Sequence, residues 1–390
     1  MEPKVDLPVS CFPAEKIWFP NLNGLRVIAA AMVFYAHIEQ FKRVLGHPSA
    51  PVAYPHPELG RLGVVLFFVL SGFLITYLLL QEKNSTKTIS ISKFYWRRIL
   101  RIWPLYYLIV LASLFIFPHF SGLYVPDWTE TVGDGFWTKT FLFIFFSPHL
   151  AMILFPPVAF ASQTWSIGVE EQFYLIWPIL MKWTRFIPGM LAGVMGLYHL
   201  IWFGLYYLDQ VVCPGRVIHI LSIFWGLCSV DCMAIGGWGA YFLFFRKTRI
   251  LNFLFSRTIQ VILYGLIFLM IGTGFSMRFF TFQLFAVLFM CIIVNLAGNP
   301  RSLLTLEFRG LNYLGQISYG IYMYHALAIV IVLQGAIYCS LTRNAFIYPV
   351  ATLLLIAIAA FSYHFFEKPF IRKKVRYSLV ISGDNAHGTV

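Results

Sequence analysis

The amino-acid sequence predicts an all-α, polytopic membrane protein with about ten transmembrane helices. Hydrophobic residues occupy 59% of the 390 positions and charged residues only 12%. Soluble globular domains carry about 25% charged residues, so the composition excludes that class. The mean hydropathy is +0.75, and the apolar residues form runs of about 20, the length of a helix that crosses a bilayer.

The apolar runs define the candidate spans in chain order. Each run is bounded by charged residues or by Pro- and Gly-containing segments, which are typical of loops and helix ends. The predicted spans cover 23–41, 62–80, 102–118, 167–184, 187–207, 231–245, 258–275, 279–297, 316–338 and 346–366. The longest predicted outer segment, 119–166, contains an apolar stretch that we expect to lie in the membrane interface or to re-enter the bilayer.

Basic residues are concentrated in alternate connecting segments, and this bias predicts the orientation. The predicted inner segments, among them 81–101, 246–257 and 367–376, carry a clear excess of Lys and Arg, whereas the predicted outer segments together have a net charge of only +2. Positively charged loops remain in the cytoplasm. The sequence therefore predicts that both chain ends are cytoplasmic (N-in, C-in).

A single transmembrane domain is predicted over 1–376, followed by a short, mobile cytoplasmic tail over 377–390. The first 20 residues are polar, so no cleavable signal peptide is expected. The pI near 9.5 does not indicate a nucleic-acid partner, because the positive charge lies where membrane insertion requires it. The predicted partner surface is membrane lipid. The 6 cysteines show no metal-ligand spacing, so no metal site is expected.

The first span carries two ionisable residues, Arg26 and His37. They are separated by about three helical turns, so they share a helix face and lie roughly 16 Å apart along the axis. Ionisable side chains within a bilayer usually face a cavity or a partner. The pair is also compatible with a snorkelling arginine and a packing histidine, and the spacing alone leaves both interpretations open.

Arg98 and Arg101 precede the third span and lie three residues apart, on one helix face. Such residues commonly anchor a helix to anionic lipid. Their other use is to hold phosphate, because the guanidinium group matches phosphate oxygens. Trp103 and Pro104 follow directly, and this pair is typical of a helix start.

Two adjacent carboxylates, Glu170 and Glu171, open the fourth span, with Ser166 four residues before Glu170. Acidic residues in a first turn interact favourably with the helix dipole. Alternatively, one carboxylate points into the bundle and orients a histidine or shares a proton with it. Glu170 is the first candidate for that role.

Two further polar residues lie in or beside predicted spans. Asp231 opens the sixth span, and His325 lies in the ninth span among three tyrosines. A carboxylate near a membrane boundary is energetically costly and is therefore a candidate site residue. A packing role for His325 remains open.

Taken together, these segments resemble the acyltransferase 3 family, integral membrane enzymes that O-acylate bacterial surface polysaccharides, nodulation factors and macrolides. The resemblance runs through the whole chain, in order, over GLRVIAAAMVFYAH, GVVLFFVLSGFLIT, FYWRRILRIWPLYY, WSIGVEEQFYLIWP, DCMAIGGWGAYF, LGQISYGIYMYHA and SYHFFEKPFIRK. The family patterns Arg-x10-His, Arg-x-x-Arg and Ser-x-x-x-Glu fall on Arg26 and His37, on Arg98 and Arg101, and on Ser166 and Glu170. Val65 and Val230 stand where the family often has Asp and Arg, and the SGNH-type domain of some members is not expected here.

The resemblance implies a membrane O-acetyltransferase of the bacterial inner membrane. Its donor substrate would be cytoplasmic acetyl-CoA, with no bound cofactor, and its acceptor would be a hydroxyl of a glycan presented at the outer side. Arg98 and Arg101 would hold the CoA phosphates, assisted by Arg26. His37 would be the general base or a transient acyl carrier, and Glu170 would orient its imidazole ring.

A proton-coupled transporter that uses the same Arg, His and Glu residues is the alternative. The sequence shows no inverted repeats and no matched pair of broken helices, which are typical of transporters. The acceptor, the acyl chain length and the oligomeric state do not follow from the sequence.

Overall fold

A computed structural model describes residues 16–49, 58–212, 214–277, 279–341, 343–377 and 381–382. Within these ranges the fold is helical apart from one parallel pair of two-residue strands, Lys16–Ile17 and Ile381–Ser382. Helices α1 to α16 are Leu22–Val44, Leu59–Thr86, Ile91–Phe115, Phe136–Ile144, Pro148–Leu154, Trp165–Trp183, Ile187–Tyr207, Arg216–Cys228, Val230–Phe244, Thr248–Phe255, Arg257–Gly272, Thr281–Gly298, Arg309–Gln316, Ser318–Tyr338, Asn344–Ser362 and Lys368–Lys374. The predicted all-α class is confirmed.

In the described part of the chain, seven helical segments have the length and apolarity to cross a membrane. They are Leu59–Thr86, Ile91–His119, Ile187–Val212, Arg216–Phe244, Thr281–Gly298, Ser318–Tyr338 and Asn344–Lys374. A further pair, Thr248–Phe255 and Arg257–Gly272, passes the same test together but is bent by 66°. These segments fit an integral membrane protein. Helices α1 and α6 are not among them because their polar residues lower their hydropathy, so the count of about ten stays a prediction.

Two predicted boundaries are wrong. The outer loop expected over 208–230 contains α8, which packs against α5 and α7 and continues into α9. Pro104 does not open the third helix, because α3 begins at Ile91 and runs through it. Helix α3 packs against α16, and before Pro104 the Arg97 side chain pairs with Glu82 and bonds to the Tyr377 carbonyl oxygen. Arg98 and Arg101 are therefore fixed on a helix rather than carried by a loop.

Helix α2 lies at the centre of the bundle and makes its closest contact with α9. A Cβ atom added at Gly72 would lie 1.9 Å from the carbonyl oxygen of Met233, and one added at Gly236 would lie 2.1 Å from that of Val69. Only glycine permits such an approach. The crossing fixes α2 beside α1 and α6, the helices that carry most of the predicted site.

The two ends of the described chain meet near the start of α3. The strands Lys16–Ile17 and Ile381–Ser382 pair in parallel, and Arg97 donates a hydrogen bond to the carbonyl oxygen of Tyr377 at 2.9 Å. The predicted tail, 377–390, lies mostly outside the described residues, so its mobility stays a prediction.

Candidate active site

The predicted site residues are divided between two neighbouring cavities. The first, which we call the arginine cavity, has a volume of about 130 Å³. Its walls include five of the predicted residues together with neighbouring polar groups: Arg26, Arg98, Arg101, Ser166 and Glu170, with Ser71, Tyr174, Ser318, Tyr319 and Tyr322. Helices α1, α2, α3, α6 and α14 thus converge on this space, and the two predicted arginines of α3 face it together.

Glu170 is held in the arginine cavity by two hydroxyl groups. The Ser71 hydroxyl donates to Oε1 at 3.0 Å, and the Tyr174 hydroxyl donates to Oε2 at 3.0 Å. The positive charges of Arg98 and Arg26 also interact with this carboxylate. Glu171 instead accepts a hydrogen bond from the Trp103 indole at 2.9 Å. The choice of Glu170 over Glu171 as the cavity-facing carboxylate agrees with this geometry.

The arginines of α3 have different surroundings. Arg97 forms an ion pair with Glu82 at 2.9 Å and does not line the cavity. The guanidinium of Arg98 lies over the Tyr174 ring at 5.4 Å, and its Nε is buried without a hydrogen-bond partner. Arg98 and Arg101 therefore contribute positive charge to a cavity that also contains the Glu170 carboxylate. An anionic group of a substrate would find complementary charge there.

The second cavity, which we call the histidine cavity, has a volume of about 100 Å³. His37 and His325 both line it, beside Gln40, Trp128, Gln163 and Trp165. Nδ1 of His37 and Nε2 of His325 are 2.6 Å apart. The two rings are nearly parallel, at 9°, with centroids 4.8 Å apart. The distance between the centroids exceeds the distance between the two nitrogens by about the width of one ring. The rings therefore lie edge to edge in nearly one plane and are not stacked face to face.

His325 is fixed from its other side as well. Its Nδ1 lies 2.5 Å from the carbonyl oxygen of Tyr322, and the side chain is only 1% exposed. A chain of hydrogen bonds therefore runs from the α14 backbone through His325 to His37. The expectation that Glu170 orients His37 is wrong in this structure: Glu170 bonds to Ser71 and Tyr174, and His325 takes the place beside His37.

A polar partition separates the two cavities. The Tyr322 hydroxyl donates to the carbonyl oxygen of Gln163 at 2.9 Å and lies 2.7 Å from the Ser166 hydroxyl. Since the single Tyr322 proton is used on the carbonyl, Ser166 donates to Tyr322. Arg26 and His37 therefore do not line one common cavity, as their shared helix face had suggested. Ser166 and Tyr322 line the arginine cavity, and Tyr322 is bonded to Gln163, which lines the histidine cavity.

Comparison with known proteins gives the family. A model of the acyltransferase 3 family, described as an acyltransferase domain, matches residues 19–364. The chain belongs to the acyltransferase 3 family. The predicted resemblance is therefore confirmed, and the match includes every residue of the two cavities.

Named relatives of this acyltransferase 3 chain are bacterial. It is 26% identical to the peptidoglycan O-acetyltransferase OatA of Listeria monocytogenes, over 79% of this chain and 49% of the relative. It is 27% identical to the O-acetyltransferase OatA of Staphylococcus aureus, over 92% of this chain and 58% of the relative. The chain thus spans about half the length of the curated relatives it matches. No solved structure matches it.

Asp231 is not brought to either cavity of this acyltransferase 3 domain. Its side chain is fully buried, accepts a hydrogen bond from Gln283 at 2.7 Å and lies 3.4 Å from Nε2 of His199. Its polar partners come from α7 and α12. The sequence identifies Asp231 as a candidate because a buried carboxylate is energetically costly. It does not predict which helices provide the partners of Asp231.

Sequence reasoning missed Ser71, Tyr174 and Tyr322 as polar partners in the site. Tyr174 follows Glu170 by four residues, so the helical period brings the two side chains together. This pairing can be predicted from the sequence. Ser71 and Tyr322 come from other helices. The periodicity of a single segment cannot predict a contact between side chains of different helices.

Proposed function

We propose that this acyltransferase 3 chain is an O-acetyltransferase of the bacterial inner membrane. In this proposal it moves an acetyl group from cytoplasmic acetyl-CoA to a hydroxyl of a glycan at the outer side. The family match, and the peptidoglycan O-acetyltransferase activity named for the Listeria relative, support the reaction class. The observation that carries the assignment to particular residues is the hydrogen-bonded histidine pair.

Hydrogen-bond chemistry fixes the position of the protons in that pair. A carbonyl oxygen only accepts, so Nδ1 of His325 must carry its proton toward Tyr322. In a neutral ring the other nitrogen is then an acceptor, so Nε2 of His325 accepts from Nδ1–H of His37. Nε2 of His37 is left with a free lone pair. No carboxylate contacts either ring in the described part of the chain, and burial favours a neutral pair.

That lone pair suits a general base. Nε2 of His37 would take the proton of the acceptor hydroxyl while the hydroxyl oxygen attacks the thioester carbonyl carbon. The new ester C–O bond forms, the C–S bond breaks, and the CoA sulfur leaves and receives the proton from His37. The same lone pair would serve if His37 carried the acetyl group transiently, and trapping of labelled protein separates the two routes.

The donor would be held by the arginine cavity. Arg98, Arg101 and Arg26 would bind the anionic part of acetyl-CoA, since planar guanidinium groups match phosphate oxygens. Glu170, bonded to Ser71 and Tyr174, would position Arg98 and Arg26 rather than His37. The acetyl group, still bonded to the CoA sulfur, would then extend past the partition formed by Ser166 and Tyr322 to reach the histidine cavity.

The test is transfer of label from radiolabelled acetyl-CoA to solubilised peptidoglycan by membrane vesicles that contain the full chain and are permeabilised, so that donor and acceptor each reach their own face of the membrane. We expect His37→Ala to lower the rate by roughly 100-fold or more, the size of a lost general base. His119→Ala, at an exposed histidine outside both cavities, should transfer at the wild-type rate. Immunoblots of the vesicles would show that both variants insert equally.

Full transfer by His37→Ala would overturn the role of His37. Solute flux coupled to protons, without any acetyl transfer by the wild type, would favour the transporter alternative. That alternative gains no support from the comparisons.

A further inference from the structure

A third cavity is larger than the two that the proposed function uses. It has a volume of about 380 Å³, within the range of about 300–1,000 Å³ that is typical of small-molecule sites. We call it the Arg61 cavity. Residues of α2, α7, α8 and α12 line it, at helix ends that the predicted topology places on the outer side. One wall consists of aromatic rings, those of Tyr198, Trp202, Tyr206, Phe279 and Phe282.

The guanidinium of Arg61 has few partners. It lies 3.9 Å over the centre of the Phe282 ring, and Nη2 donates one long hydrogen bond, 3.4 Å, to the carbonyl oxygen of Gly226. Arginine has five N–H donors. No carboxylate of the described residues forms an ion pair with it, although the charges of Glu58 and Asp231 act on it from farther away. Arg61 lines the cavity, so a ligand there could accept hydrogen bonds from its guanidinium.

The carboxylate that could neutralise Arg61 is occupied elsewhere. Asp231 accepts from Gln283 at 2.7 Å and from the Cys232 backbone N–H at 2.9 Å, and it lies beside His199. These bonds also hold the Gln283 side chain in the cavity wall. A polar side chain fixed in this way costs little ordering when a ligand binds.

A second acid, Asp209, lines the cavity and is paired with His219 at 3.0 Å. The cavity therefore contains a cationic fork, a carboxylate that accepts hydroxyl protons, and a broad ring surface. A phosphodiester group offers only acceptors and would leave the Asp209 carboxylate without a donor. A sugar ring that bears a carboxylate offers all three complementary features: an anion, several hydroxyl donors and an apolar face.

The Arg61 cavity also lies near the histidine cavity. Met152 of α5 lines the histidine cavity, and His149 of the same helix stacks on Phe224 of α8 at 4.7 Å. Ser222 and Ile223, beside Phe224, line the Arg61 cavity. Helices α5 and α8 thus connect the two spaces.

We propose that the Arg61 cavity binds an acidic sugar unit of the glycan acceptor, apart from the hydroxyl that is acetylated. The proposal rests on the proposed function for the identity of the acceptor as a glycan. Arg61 would bind the carboxylate, Asp209 and Gln283 would bind hydroxyl or amide groups, and the aromatic wall would cover the ring face. This site would set which glycan the enzyme accepts.

The test compares two sugars that differ in the acidic group. N-acetylmuramic acid carries a carboxylate that N-acetylglucosamine lacks, and ligand-observed NMR measures the binding of each to the full chain in nanodiscs of neutral lipid. We expect the acidic sugar to bind the wild type more tightly. Arg61→Gln should weaken the acidic sugar by roughly ten-fold, the value of one charge-assisted contact, and should leave the neutral sugar unchanged. Arg249→Gln, at an exposed arginine of α10, is the matched control.

Equal binding of the acidic sugar to wild type and Arg61→Gln would overturn the proposal. So would displacement of the sugar by phosphatidylglycerol in the nanodiscs, which would assign the cavity to a lipid headgroup. If thermal unfolding shows that Arg61→Gln does not fold, Asp209→Asn replaces it and should weaken both sugars alike. Because binding requires no acetyl-CoA, loss of the His37 role in the transfer assay would leave this result standing.

Discussion

A histidine acts as a base only through the nitrogen that does not carry its proton, so the partner of the other nitrogen decides its function. Here that partner is a second histidine, itself fixed by the Tyr322 carbonyl oxygen. A carboxylate partner would stabilise a charged imidazolium after proton transfer. A neutral histidine instead fixes the tautomer and the ring plane, which suits a base that returns its proton to the leaving sulfur within one turnover.

Substitution of His325 tests this positioning role. His325→Ala leaves Nδ1 of His37 without an acceptor, so the ring can rotate or change tautomer, and we expect transfer to fall by at least about ten-fold. His325→Gln can accept from His37 through its amide oxygen and donate to the Tyr322 carbonyl through its amide nitrogen. It should therefore recover most of the kcat. For both variants, the measurements are the kcat of acetyl transfer and the KM for acetyl-CoA.

A packing role for His325 predicts the reverse order. Gln is polar and flexible, so a purely structural site should tolerate Ala at least as well as Gln. Equal loss of kcat in both variants, with unchanged KM and unchanged thermal unfolding, would contradict the proposal that His325 acts by holding His37 through hydrogen bonds.

At this scale the sequence predicts the candidates better than their contacts. The spacing of Arg26 and His37, and that of Arg98 and Arg101, follows from the helical period alone. The partners Tyr322, Ser71 and His325 come from different helices, and their approach depends on how α1, α2, α6 and α14 cross. That is why Glu170 was expected beside His37, although Ser71 and Tyr174 hold it in the other cavity.

At the scale of elements, α3 decides how the donor would be held. The helix is continuous from Ile91 to Phe115, so Arg98 and Arg101 project from a rigid surface into the arginine cavity. Arg97, one position away, is turned to Glu82. Arg97, which forms a structural ion pair, therefore lies on a different face of α3 from Arg98 and Arg101, the cations proposed to bind the donor.

We expect the double variant Arg98→Gln and Arg101→Gln to raise the KM for acetyl-CoA by roughly 100-fold or more, since each of the two charged contacts to phosphate contributes about 1.5–3 kcal/mol. The matched control is Lys93→Gln, an exposed cation on the same helix. Initial rates at varied acetyl-CoA concentration give KM and kcat separately. An unchanged KM in the double variant would show that the donor is held elsewhere.

The boundaries of elements are predicted less well than their existence. The loop expected over 208–230 is largely helical because α8 packs on α5 and α7, and Pro104 lies within α3, a helix that packs against α16. Both differences arise from tertiary packing that overrides local signals. The close helix contact at Gly72 can be predicted from the sequence, because a small residue in the middle of a span permits another helix, here α9, to approach closely.

At the scale of the whole molecule, the two proposed half-sites lie at different depths of one bundle. Arg26 and His37 are on the same face of α1, and the Ser166–Tyr322 partition divides the space between them. A cytoplasmic donor and an outer acceptor would require this arrangement. The partition consists of hydrogen-bonded hydroxyl groups. It can therefore separate the two cavities and still let a small acyl group pass when the Ser166 and Tyr322 side chains move.

Sidedness is therefore the property on which the proposed reaction depends, and cysteine labelling measures it. Glu82, near the end of α2, pairs with Arg97 at 2.9 Å, so a label at nearby Ser85 reports the side on which the arginine end of α3 lies. In a background that replaces Cys11, Cys213 and Cys339 by Ser and keeps the buried Cys228 and Cys232, we expect a membrane-impermeant maleimide to modify Asp134→Cys in intact cells. Ser85→Cys and Lys373→Cys should react only after the membrane is opened, because the positively charged loops remain inside. Labelling of Ser85→Cys in intact cells would place the arginine cavity toward the outside, where a cytoplasmic thioester could not reach it.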